Sequence, residues 1–104
     1  MKIKYNIQIQ NEAIQMNLRR LINQTYKLLP TREEGSDWKK PLTTIMEELA
    51  GMGELFLDHH GIFFSLLCKL EGLFLLIQEN EFFLFRKTIF ECLGLMNELI
   101  NICH

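Results

Sequence analysis

Residues 38–56 read WKKPLTTIMEELAGMGELF, and their apolar members decide the fold class. Trp38, Leu42, Ile45, Leu49, Met52 and Phe56 step by alternating fours and threes. That interval keeps side chains on one face of a helix and cannot be produced by the two-residue alternation of a strand. Pro41 falls in the first turn of this helix, where a missing N–H costs little, and Ser36 or Asp37 stands ready to cap it. Gly51 and Gly53 each weaken the helix by about 1 kcal/mol relative to Ala, and either could admit a close neighbour.

The same period extends to both sides. Upstream, Ile7, Ile14, Leu21 and Leu28 recur every seven residues, widened by Leu18 and Ile22. This predicts a helix over 11–29 with Asn11 as its cap. Pro30 is expected to end it, because the residue before a proline is pushed out of the helical region. The first ten residues are ambiguous. Ile3, Tyr5, Ile7 and Ile9 alternate with polar neighbours in strand fashion, but a lone strand finds no partner here, so a helix extension is favoured over strand. Thr31 to Asp37 is a loop broken by Gly35 and Ser36, although Thr31 and Glu34 have capping-box spacing.

Downstream, helices are expected over 62–78 and, from a cap at Asn80, to 102. The first of these is apolar nearly all round, which suits a helix central in a bundle or covered by another chain. The second sets Phe82, Ile89, Leu93, Met96, Ile100 and Cys103 on one face and Lys87, Glu91, Gly94, Glu98 and Asn101 on the opposite one. Four helices joined by short loops give an all-α, antiparallel up-and-down four-helix bundle, with residues 1–104 as a single domain. Its packing residues are predicted to be Phe63, Phe64, Leu67, Leu70, Phe74, Phe82, Ile89, Leu93 and Met96.

Composition narrows the function classes. The chain is 48% hydrophobic and 23% charged, which fits a globular domain and not a disordered one. All eight Phe lie between Phe56 and Phe90, so apolar material is concentrated in the second half. The longest apolar stretch, 62–77, is too short for a membrane span and carries Lys69 and Glu71 in its middle. Residues 1–10 lack the apolar core and cleavage site of a secretory signal. Cys68, Cys92 and Cys103 are odd in number, far apart and set in apolar stretches. They are expected to be reduced, buried thiols of a cytoplasmic protein. Richness in Ile, Asn, Lys and Phe suggests an AT-rich genome of a bacterium or its phage.

No motif carries catalysis. Asp58-His59-His60 catches the eye, but adjacent helical residues point about 100° apart, and no second ligand pattern supports a metal. Glu47, Glu54 and Asp58 fall on one stripe of the second predicted helix, without an activating partner, and read as a solvated face. No catalytic, cofactor-binding or metal residue is therefore assigned, and no cofactor is expected. Charge is divided unevenly: residues 1–40 hold eight basic and four acidic groups, residues 41–104 three and nine, giving −2 overall.

The expected function is non-enzymatic: a protein interaction or assembly subunit that forms a homo-oligomer or docks on a larger complex through apolar helix faces. Its partner-facing edge is predicted at Trp38, Arg32, Lys39 and Lys40, an aromatic flanked by basic groups. The alternative is an accessory subunit contacting nucleic acid through Arg19, Arg20, Lys27, Arg32, Lys39 and Lys40, a basic rim at the corner after the first helix.

Overall fold

The structure, a computed structural model, describes residues 2–103, with side chains from 11 to 103. It is an all-α bundle with no strand among the described residues. Four longer helices, α1 (Lys2–Tyr26), α3 (Lys39–Ala50), α4 (His60–Leu73) and α5 (Phe82–Ile102), are joined by the six-residue α2 (Leu28–Glu33) and two 3-10 segments, Gly53–His59 and Glu79–Glu81. The backbone of α1 is helical from Lys2, as favoured over a strand; the side chain of Ile7 lies outside the described ones. Helix α5 packs on α4 and α1, and α3 packs on the same two. Contacts between α1 and α5 run in opposite senses, Gln15 bonding to the Ile100 carbonyl and Tyr26 meeting Phe90, which is compatible with an antiparallel course.

The heptad-spaced stripes form the core. Leu18, Leu21 and Leu28 come from the first half, Leu42, Ile45, Leu49 and Phe56 from the second stripe, and Leu66, Leu70, Phe85, Ile89 and Met96 from the last two helices. Burying a side chain of this size contributes about 1.5–3 kcal/mol relative to leaving it in water. Thr25 is the one buried polar residue described, its hydroxyl 4.0 Å from the Met96 sulfur.

Four boundaries differ from the sequence expectation, each for a local reason. Pro30 does not end α1. The chain turns at Lys27, and Pro30 takes the third position of α2, where no N–H is required. Helix α2 then closes on Gly35, at φ +77°, with Ser36 N–H donating to the Thr31 carbonyl and Gly35 N–H to that of Arg32. This is a Schellman closure, and the left-handed residue it demands is the glycine. The Thr31 hydroxyl donates backwards to the Lys27 carbonyl and forms no capping box with Glu34.

Helix α3 begins where Asp37 Oδ1 accepts from the N–H groups of Lys39 and Lys40, at 3.0 and 3.4 Å. It stops at Ala50, whereas the apolar stripe and Asp58 on its acidic side predict a helix over 37–58. Gly51 and Gly53 hold the helix weakly, and the chain rewinds as a 3-10 segment bent at Phe56 (φ −121°, ψ 31°). The bend keeps Phe56 inward, stacked on Phe63 at 5.7 Å, while a Cβ on Gly53 would stand 3.4 Å from that same Phe63 ring. Helix α4 ends at Leu73 and not at 78. The α5 segment starts from Gln78, whose N–H donates to Glu81 Oε2, and not from Asn80.

Candidate interaction surface

The residues predicted for a partner-facing edge are neighbours, but Arg32 and Trp38 turn toward the bundle while Lys39 and Lys40 are exposed. The Arg32 guanidinium lies 4.5 Å from the Phe85 ring centroid, 5.5 Å from that of Trp38 and 5.8 Å from that of Phe82. Its Nη1 donates to the Leu76 carbonyl and its Nη2 to the Gln78 carbonyl at 2.7 Å. These two carbonyls belong to the stretch where α4 was expected to continue. A fixed donor fork lets that backbone leave the helix with its acceptors satisfied, which is the physical reason α4 is short. Burial lowers the Arg32 pKa, with nearby Glu81 partly opposing, and the guanidinium is basic enough to stay charged at neutral pH.

Trp38 completes the cluster. It is half-buried, edge-on to Phe85 at 4.9 Å and stacked on Phe74 at 6.4 Å, with Lys39 Nζ 5.8 Å from its ring. The stretch from Leu29 to Trp38 is thus a staple binding the α2 corner to the α4–α5 connection. Lys40 is exposed. Of the basic rim, Arg20 is held by Glu48 at 2.7 Å and Arg32 is turned inward. Arg19 on α1, Lys27 in the turn after it, and Lys39 and Lys40 at the start of α3 remain exposed.

Two expectations about side-chain placement are corrected. Phe64, predicted to pack in the core, is 67% exposed. Adjacent helical residues diverge by about 100°, so Phe63 and Phe64 cannot both face inward, and Phe63 holds the core position. Cys68 is exposed and not buried, whereas Cys92 and Cys103 are buried as expected; all three are free. Burial pushes the Cys92 thiol up to about 12, Lys69 opposing and Glu91 reinforcing the shift, and burial also raises Cys103. His59 and His60 are exposed, and among the described residues no cluster of three or more His, Cys, Asp or Glu could hold a metal. Glu47 and Glu54 no longer share a helical stripe, because α3 ends between them.

What the bundle leaves open is apolar. Phe64, Leu75, Ile77, Phe83, Leu84 and Phe90 are exposed, and Phe64, Leu75, Phe83 and Phe90 among them lie on two surfaces. The first is a groove of about 590 Å³ between α3 and α4, with Met46, Ala50, Phe64, Leu67 and Phe74 in its walls and Glu47 and Glu71 beside them. Leu75 prolongs its far end. The second is a strip along the outer face of α5, made by Phe83, Arg86, Lys87 and Phe90, with the Arg86 guanidinium 5.5 Å from the Phe90 ring. Neither surface was assigned from the sequence. The signal was there: the consecutive apolar residues 63–64 and 82–85 exceed what one buried helical face can hold.

Comparison of the chain with protein-family models, curated proteins and solved structures returns no match. No helix among the described residues is long and apolar enough to cross a membrane.

Proposed function

We propose that the chain is a non-enzymatic assembly subunit, acting in the cytoplasm, which docks on a second copy or on a larger complex through helix faces that its own bundle leaves uncovered. The observation that carries this reading is the exposure of Phe64, Leu75 and Phe83, at 67, 79 and 72%, on well-packed helices or directly beside them. Contiguous apolar surface on a folded domain usually marks an interaction site. Free thiols fit a reducing compartment. The nucleic-acid alternative has five exposed basic groups on three separate stretches of chain, Arg20 among them already paired with Glu48, within a molecule of net charge −2, and is the weaker reading.

The test is a paired substitution of residues that are already in water. Phe64→Ser with Phe83→Ser should keep the helical circular dichroism and melting temperature of the native chain. The same variant should lose both self-association in light scattering and stoichiometric co-purification of partner proteins. A native chain that is monomeric at every concentration, and that co-purifies with the same proteins as the double variant, would overturn the reading.

A further inference from the structure

The two open surfaces carry opposite charge. The α3–α4 groove is rimmed by Glu47 and Glu71, and the α5 strip carries Arg86 and Lys87 between its phenylalanines. Among the described residues none of these four forms an ion pair. Glu91, at the edge of the strip, is already matched by Lys69 at 3.4 Å, so the strip stays positive. The strip is also short enough to lie within the groove. Phe83 to Phe90 is seven residues, about 10 Å of helix, and Phe64 to Phe74 on the groove wall is ten, about 15 Å.

We infer that the occupant of the α3–α4 groove is the α5 strip of a second copy of this chain. Phe83 and Phe90 enter between Phe64, Leu67 and Phe74, and Arg86 and Lys87 meet Glu47 and Glu71. The inference rests on the assembly reading above and names its partner. The contact cannot form within one chain, because α5 is held against α4 and α1 with its strip outward, while the groove opens between α3 and α4. It joins two different patches: made once per pair it is heterologous and propagates head-to-tail into a ring or an open chain, and made reciprocally by two copies it closes a two-fold dimer. Apolar side chains supply the attraction. The charges set the register and exclude like-with-like pairing of groove on groove or strip on strip.

Sedimentation equilibrium of the native chain tests this, at protein concentrations up to about 500 µM, since contacts of this small size are weak. The average mass should rise with concentration from the 12.3 kDa of one chain to at least twice that value. Alkylation of Cys68, which lines the groove, should slow over the same range. Arg86→Glu with Lys87→Glu should weaken association roughly 100-fold, and so should Glu47→Lys with Glu71→Lys, because each brings like charges together. Mixing the two variants should restore it, since the first retains a native groove and the second a native strip. Unchanged circular dichroism and melting of each variant certify that it is folded.

A native chain that stays monomeric overturns the inference, as do variants that associate like the native chain or a mixture that fails to recover. If the native chain is monomeric but Phe64→Ser with Phe83→Ser abolishes co-purification of another protein, the second-copy partner falls while the assembly reading stands. If that substitution changes neither property, both fall.

Discussion

Two aromatic groups of this protein are built from the same kinds of residue and end in opposite states. Around Arg32, the rings of Trp38, Phe82 and Phe85 are drawn together by one guanidinium, and Phe85 is completely buried. On the outer face of α5, Phe83 and Phe90 flank Arg86 and Lys87 and remain exposed, at 72 and 44%. Both groups pair aromatics with arginine. The difference lies in what the arginine's remaining donors find. Arg32 has two backbone carbonyls within reach, and its fork joins separate parts of the chain. Arg86 has no hydrogen-bond partner among the described residues, and its contact is with Phe90 on its own helix. An aromatic–arginine cluster closes when the backbone supplies acceptors, and otherwise it remains a surface.

That contrast is broken most severely by truncating one ring in each group. Phe85→Ala removes a fully buried ring from the centre of the core and should cost about 3–5 kcal/mol in urea or thermal unfolding. Phe83→Ala, two residues away on the same helix, should stay within about 0.5 kcal/mol of the native chain. Equal losses would mean that the α5 strip is covered in the free protein.

A smaller loss is expected at the arginine itself. Arg32→Lys keeps the charge but cannot donate to both carbonyls in one plane, and it stacks less well on the rings. We expect about 1–2 kcal/mol of destabilisation, in the range of hydrogen bonds to a charged group. The increase in hydrogen exchange should concentrate at residues 74–81, the stretch that the fork holds. A loss spread evenly over α1 and α5 would contradict this assignment.

How much of this was legible beforehand follows from what period can and cannot encode. The stripes through Leu18, Leu42, Ile45, Leu49, Ile89 and Met96 place the core because burial acts on every turn of a helix and leaves a repeating mark. The Arg32 staple leaves no such mark. It joins residue 32 to carbonyls at 76 and 78, and carbonyls carry no sequence signal. The helix stops at Ala50 and Leu73 were likewise hidden, because Gly51, Gly53 and the apolar run 73–77 permit several continuations and tertiary contacts select one. The open surfaces were half visible. Doublets such as Phe63-Phe64 say that one ring must turn outward, but the choice depends on where α3 lies.

The cysteines sharpen the comparison of closed and open regions without altering either. In dilute native protein, iodoacetamide should modify Cys68 quickly and leave Cys92 and Cys103 untouched until the chain unfolds. The Cys92 thiol also contributes a pH dependence. The folded chain holds that proton up to about 12, while the unfolded chain releases it near its ordinary value of 9.0. Between those values the unfolded state binds fewer protons, so this group's contribution to stability is intact below pH 9 and declines as pH rises towards 12. Cys92→Ser should flatten the part of the alkaline decline that comes from this thiol.

A modest effect is expected at the one ion pair that ties α1 to α3 among the described residues. Arg20 and Glu48 meet at 2.7 Å, but both side chains keep more than a third of their surface in water, at 46 and 37%. Water weakens the attraction, and holding two long side chains in one geometry costs rotamer freedom. Glu48→Gln should therefore lower stability by no more than about 1 kcal/mol, with the difference shrinking further in 0.5 M salt. The contrast with Arg32→Lys is the informative quantity. Both substitutions disturb one arginine linking distant parts of the chain, but only Arg32 has its partners fixed in the backbone and its flat face against three rings. If Glu48→Gln proves the more damaging, α1 and α3 are held chiefly by charge rather than by Leu18, Leu21, Ile45 and Leu49, and burial is not what orders this bundle.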